Sequence, residues 1–293
     1  MVSGTWLDAD GLRTRIQEIR QFTSRPFGVN LGLEWPQEER LDICLELGVK
    51  VISLFWGDPT SLVDRAHAGG ALVMHTVGSA EAAAEAVAAG VDIVVAQGWE
   101  AGGHLDSKVG NLALVPAVVD ACGEAPVVAA GGIADGRGLA AVLALGASGA
   151  WIGTRFLLSE EAAAHDRYKA RLLQARETDT VFSTVFDVGW SDAPHRTLTN
   201  DTVEMWETGG RQPMGVRPGE GEVIGRYADG RKITRYDVGF PRPDAEGAVE
   251  SMALYAGQGV GLLDDILPAA EIVARIEAEA MKTARRLASR VEA

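Results

Sequence analysis

The sequence predicts an α/β protein built as a (β/α)8 TIM barrel that lacks its first strand and most of its second and carries a loop-rich insertion near the C-terminus. Three observations predict it. Short apolar runs alternate with amphipathic stretches from Pro26 to Phe156, the rhythm of a parallel sheet. The runs recur about every twenty residues, the length of a barrel unit. Glycine and polar residues collect where the runs end, and those ends form the rim on which a barrel carries its reactive groups.

At the start, Val2-Ser3-Gly4 reads as the tail of a strand. Asp8-Ala9-Asp10 then caps a helix over residues 11–22, because a short acidic side chain accepts from the unpaired N–H groups of a first turn. The strands that follow are residues 27–31, 50–55, 71–76, 92–96, 126–130 and 149–152, and their continuous apolar character implies burial on both faces. Helices are expected at 37–47, 61–68, 80–89, 112–121 and 138–145, and a longer one over 159–176 closes the pattern. Six strands leave a closed barrel short by two. The start is therefore read as cut off: either the chain begins downstream of its natural start, or a partner covers the open edge, since an unpaired strand invites association.

The barrel is assigned to residues 1–176 and a loop-rich insertion to 177–247, with one helix at 201–208 and a role as lid, dimer contact or surface decoration. Residues 248–293 form a C-terminal segment whose helix, at 269–288, packs on the barrel.

A chain of 293 residues can bury a large α/β core. Its net charge of −14 disfavours nucleic acid or acidic lipid as a partner, because phosphate binding over a broad surface needs clustered Lys and Arg. Cys44 and Cys122 lack metal or disulfide spacing and read as core residues of a cytoplasmic protein. No basic, apolar leader opens the chain, and no run of about eighteen apolar residues occurs. The sequon Asn200-Asp201-Thr202 reads as chance.

The stretch Gln97-Gly98-Trp99-Glu100-Ala101-Gly102-Gly103-His104 places a histidine behind two glycines at a strand end. Glycine there admits positive φ and a close approach to a ligand, and an imidazole can act as a base near neutral pH. A lone histidine more often caps a turn or binds a carbonyl, but its place in the repeated strand and helix pattern favours a site. His75, at another strand end, reads equally as structural or as facing a ligand.

Gly131-Gly132 follows one strand directly, and Gly153-Thr154 closes the next. In barrels the loops after the last two strands, with a helix N-terminus, form the usual phosphate site, a role that Gly131, Gly132, Gly153 and Thr154 fit. Tight turns need glycine for steric reasons too. Arg155 reads as a phosphate partner or a salt-bridge residue.

Together, Glu100-Ala101-Gly102-Gly103-His104, Gly131-Gly132-Ile133-Ala134 and Gly153-Thr154-Arg155-Phe156 resemble nitronate monooxygenases, formerly called 2-nitropropane dioxygenases. Phe27-Gly28-Val29-Asn30-Leu31 and Tyr255-Ala256-Gly257-Gln258 join the resemblance, which spares residues 177–243. It implies an FMN-dependent barrel oxidising alkyl nitronates with molecular oxygen, with His104 as catalytic base. It also implies that Asn30, Gln97, Gly102 and the turn from Trp151 to Thr154 touch the flavin, the glycines holding its phosphate. The family usually opens with a strand ending in Gln-Ala-Pro-Met and a second ending in a glycine-rich turn. This chain lacks the first and keeps only Val2-Ser3-Gly4 of the second, which would leave the edge beside residues 27–31 exposed.

Two other readings share these residues. FMN-dependent reductases of enoyl-ACP or quinones, which use NAD(P)H, resemble the chain at the same motifs. A cofactor-free paralogue acting as a binding protein would explain the missing strand. The oligomeric state stays open, a homodimer included.

Overall fold

In the computed structural model, which describes residues 1–291, the apolar runs of the first half become strands and the stretches between them helices. In chain order these are β1 (Val2–Ser3), α1 (Ala9–Phe22), β2 (Gly28–Gly32), α2 (Glu38–Glu46), β3 (Val51–Phe55), α3 (Thr60–Ala68), β4 (Leu72–Val77), α4 (Ala80–Ala88) and β5 (Ile93–Gln97). After them come β6 (Gly103–His104), α5 (Asn111–Cys122), β7 (Val127–Ala130), α6 (Gly136–Ala144) and β8 (Gly149–Trp151). One sheet runs in the order β1-β2-β3-β4-β5-β7-β8. Its ladders from β1 to β5 are parallel, with Val2 opposite Val29, Val29 opposite Ile52, Ile52 opposite Val73 and His75 opposite Val94. Beside β2, the two residues of β1 pair with Val29 and Asn30.

The chain divides into two compact units. The first holds residues 1–98, 106–129 and 142–149. Its strands are buried on both faces as their composition requires: Ile52, Ser53 and Leu54 are consecutive and fully buried. Ser53 is admitted to that interior because its hydroxyl accepts from Asn30 Nδ2 at 3.1 Å. The Asp8 carboxylate caps α1 by accepting from the Gly11 N–H at 2.8 Å, and Leu12 and Ile16, one turn apart, face the core. Cys44 and Cys122 are buried free thiols, and burial pushes Cys44 up to about 12, so it stays protonated.

The second unit holds residues 99–105, 130–141 and everything from 150 onward. It adds α7 (Thr154–Leu157), α8 (Asp166–Gln174), β9 (Thr180–Ser183), β10 (His195–Leu198), α9 (Asp201–Thr208), β11 (Val223–Arg226), β12 (Lys232–Thr234), β13 (Glu246–Gly247) and α10 (Ala269–Val291). The single helix expected over 159–176 is broken. Ser159 bridges Leu267 and the Glu160 N–H donates to the Leu267 carbonyl at 3.0 Å, which takes this backbone out of any helix. The helix restarts at Asp166, capped by His165, whose Nδ1 accepts from the Arg167 N–H at 3.0 Å.

The segment 177–247, expected to be loop-rich, forms the antiparallel sheet β12-β11-β13 and supplies β10 and β9 to a second one, β6-β10-β9. Its one expected helix is α9, capped by Asn200, which accepts from the Val203 N–H at 3.1 Å. Asn200 also donates to the Glu250 and Met252 carbonyls at 2.8 and 2.9 Å, so the sequon's amide is buried and committed. In α10, Ile272, Ile276 and Ala280 are buried at helical spacing. Gly136 lies so close that a Cβ there would come within 2.4 Å of the Ala280 nitrogen. Among the described residues no helix is long and apolar enough to cross a membrane.

Arg217 fastens the segment 177–247. Its side chain is 1% exposed, and it donates to Asp187 Oδ1 at 2.6 Å, the Val185 carbonyl at 3.0 Å and Glu220 Oε1 at 2.8 Å. It also lies over the Tyr236 ring, 4.2 Å from its centroid. Burial outweighs the pull of Arg217 and leaves the Asp187 carboxyl above its usual range, so this pair holds only while its hydrogen bonds are complete. Arg217→Met is expected to lower stability by about 3–5 kcal/mol, because Asp187 would be left buried without its partner. A urea midpoint unchanged from wild type would refute this.

Candidate active site

Gly103 has φ of 81°, and a Cβ built on it would meet nothing within 4 Å. This turn leads into β6, which pairs antiparallel with β10 so that His104 lies opposite His195. Rings enclose the His104 imidazole. Trp190 stacks on it with centroids 4.2 Å apart and 27° between planes, and Tyr255 and His195 follow at 5.4 and 5.5 Å.

Burial, with a smaller push from His195, lowers His104 to about 3. The ring is thus neutral at ordinary pH rather than titrating near neutrality. Burial brings His195 to about 4 as well. The tautomer of His195 follows from its partners. Nε2 accepts from the Phe186 N–H at 3.2 Å, so the proton sits on Nδ1 and is donated to the Ala193 carbonyl at 2.9 Å.

Gly102 is needed for a different reason from the one its sequence context suggests. A Cβ there would lie 2.3 Å from the Gly257 nitrogen and 2.4 Å from the Ala256 carbonyl carbon, so the close approach is to another backbone. Alongside, the Glu100 carbonyl accepts from the Gln258 N–H at 2.9 Å. A Cβ on Gly259 would meet the Gly132 oxygen at 2.5 Å, and one on Gly132 would meet Glu100 Cβ at 2.9 Å. Segments 100–103, 131–132 and 256–259 are thus locked through glycines. Gly102→Ala is expected to cost about 1–3 kcal/mol by overpacking. Gly153→Ala, where a Cβ meets nothing within 4 Å, should stay within about 0.5 kcal/mol of wild type. Equal urea midpoints for the two variants would contradict this.

Gly131 and Gly132, with φ of 102° and 68°, connect β7 to α6. Gly153 stands between Trp151, the last residue of β8, and α7. The Thr154 hydroxyl accepts from the Gly257 N–H at 3.0 Å, which ties α7 to the same glycine lock. Bare backbone at Gly153 and Gly103, with open space where a Cβ would stand, fits a phosphate-bearing cofactor. Arg155 turns away. Its guanidinium pairs with Asp265, at 2.8 Å to the carboxylate and 3.0 Å to the carbonyl, which settles it as a salt-bridge residue.

Asn30 and Gln97 belong to the first unit, Asn30 in the middle of β2 and Gln97 at the end of β5. His75, in β4, is buried and brought down to about 4 by that burial, and its Nδ1 has no hydrogen-bond partner among the described residues. Sequence reasoning missed Trp190 and His195. Among the described residues no cluster of side chains could hold a metal ion.

The profile of the nitronate monooxygenase family matches residues 32–279. A relative from Mycobacterium tuberculosis, named as a hydroxy-methyl-oxo-octahydroindene-carboxyl-CoA dehydrogenase, is 37% identical over 72% of this chain and 59% of its own length. The chain thus spans less than two thirds of that relative. Among solved structures, FabK of Thermotoga maritima matches with TM-score 0.78 at 30% identity, over 97% of this chain and 85% of FabK. The nitroalkane oxidase of Streptomyces ansochromogenes matches with TM-score 0.78 at 29% identity, over 97% of this chain and 89% of the oxidase.

Proposed function

The chain belongs to the nitronate monooxygenase family, and from that premise we propose that it oxidises alkyl nitronates with molecular oxygen by means of bound FMN, with His104 handling the substrate's proton. The observation that carries the reading is the neutral imidazole of His104 inside the ring enclosure of Trp190, Tyr255 and His195. When bound, FMN would supply the redox chemistry, taking electrons from the substrate and passing them to oxygen.

The residues present fit that group. Backbone at Gly131, Gly132 and Gly153 would hold the phosphate. The Thr154 hydroxyl accepts from Gly257 and so keeps its own proton to donate. Trp151, two residues before Gly153, and Gly102 would flank the flavin. A nitroalkane would lose its α-proton to the unprotonated ring nitrogen of His104, and the anion formed beside the ring would stabilise the imidazolium that burial alone disfavours. A preformed nitronate needs no such transfer, and His104 then orients it through the ring N–H.

The nitroalkane oxidase likeness supports this reading. The relative named as a carboxyl-CoA dehydrogenase favours a second one, a flavin oxidoreductase acting on a CoA thioester with a pyridine nucleotide. The test is the visible spectrum of the purified protein with FMN, followed by oxygen uptake. A two-band flavin spectrum and uptake on propyl-2-nitronate without NAD(P)H are expected. Uptake that required NADH or NADPH would move the assignment to the second reading, and no flavin spectrum would reject both.

A further inference from the structure

Two segments far apart in sequence meet at the His104 ring, and the second is anchored more heavily than a surface loop needs to be. Trp190 is 8% exposed and covers one face of the imidazole. Its backbone N–H donates to the Asp187 carbonyl at 3.0 Å, and Gly189, at φ of 107°, closes the turn between them. Val188 is held from both sides: its N–H donates to the Tyr236 carbonyl at 3.1 Å and its carbonyl accepts from the Val238 N–H at 3.0 Å. The Asp187 side chain is the one that Arg217 grips at 2.6 Å, and Arg217 also holds the Val185 carbonyl. A buried ion pair of this kind adds little net stability. It does fix where the turn, and therefore the indole, stands.

We infer that Trp190 is a positioning residue for His104, holding the plane of the imidazole and shielding one face from water, and that the Arg217–Asp187 pair sets Trp190 in place. The other groups around the ring cannot do this. Both nitrogens of His195 are engaged by backbone, and the Tyr255 hydroxyl donates to the Val238 carbonyl at 2.8 Å. Arg196, beside His195 on β10, donates to the Trp99 carbonyl at 2.8 Å and lies over the Trp99 ring. Burial lowers Arg196, and the charge of Glu100 acts against that. The lone pair of the unprotonated ring nitrogen lies in the plane of the imidazole, so a fixed ring plane fixes the line along which a substrate proton can be taken, and alignment of that sort is worth large factors in rate.

The kinetic arm of the test rests on the proposed function; the titration arm does not. Histidine ring signals are followed by NMR against pH in wild type, Trp190→Ala, Trp190→Leu and Trp190→Phe, with His104 assigned by its loss in His104→Asn. Above the onset of acid unfolding the wild-type His104 signals should stay those of the neutral ring, whereas in Trp190→Ala they should begin to shift at a pH at least one unit higher than in wild type, roughly tenfold in proton affinity. Trp190→Phe, which keeps a flat ring, should recover most of the wild-type value. For a nitroalkane, kcat should fall roughly tenfold or more in Trp190→Ala and Trp190→Leu while KM stays within about threefold. Trp190→Leu keeps apolar bulk and guards against an alanine variant that fails to fold. Wild-type titration and wild-type kcat in a folded Ala or Leu variant would overturn the inference. A wild-type protein inactive on nitroalkanes and nitronates would overturn the proposed function alone, and the titration would still decide the role of Trp190.

Discussion

His104→Asn should lower turnover of a nitroalkane by roughly 10²–10⁴-fold, the range for removing a general base, and leave the flavin spectrum unchanged. Asparagine is close to imidazole in polarity and keeps a hydrogen-bond donor, but it has no nitrogen that can take a proton. The loss should therefore be smaller on a preformed nitronate, where His104 only orients the anion. Because the ring stays neutral down to about 3, the wild-type rate on a nitroalkane should show no falling limb near pH 6.5. Oxygen uptake on both substrates, measured from pH 5 to 8, checks each point. Equal losses on the two substrates would remove proton abstraction from His104, and a limb near 6.5 would mean that the enclosure does not hold the ring neutral.

How much of this could be read from the chain depends on the range of the interactions involved. The strands of the first unit were legible because each is a local apolar run, and consecutive burial of Ile52, Ser53 and Leu54 is what such a run implies. His104 and its glycines were legible because left-handed backbone, as at Gly103, Gly131 and Gly132, needs glycine whatever the fold around it.

His195 and Trp190 were hidden for the opposite reason. β6 is two residues long and carries no periodicity, and its partner β10 lies about ninety residues further on. β10 begins His195-Arg196-Thr197, a polar run, yet all three are buried, and backbone carbonyls at Ala193 and Trp99 take up the donors of His195 and Arg196. The break at Ser159 was hidden in the same way, since it depends on a bridge to Leu267. Gly102 was legible as essential but not for its reason, because its crowding comes from Gly257.

Mild acid should weaken the fold steeply, and His75, His104 and His195 are the cause. Burial lowers them to about 4, 3 and 4, against 6.5 for the unfolded chain. Above pH 6.5 they are neutral in both states and contribute nothing to the slope. Below it the unfolded chain takes up protons that the folded chain refuses, so stability falls with falling pH until each folded value is reached. Each histidine contributes up to about 1.4 kcal/mol per pH unit, and three together approach roughly 4 kcal/mol per pH unit between pH 6 and 4. A domain has only about 5–15 kcal/mol to lose, so unfolding should begin inside that window. The contributions can be separated. His75 lies in the first unit and the other two in the second, so a transition belonging to the first unit should follow one proton and one belonging to the second should follow two. Urea midpoints at pH 7.5, 6.5, 5.5 and 4.5 measure the slope, and His75→Gln should reduce it by about one proton. A midpoint that stayed level from pH 7.5 to 4.5 would mean the three rings gain charge in the folded state, and the neutral imidazole at the centre of the proposed mechanism would have to be given up.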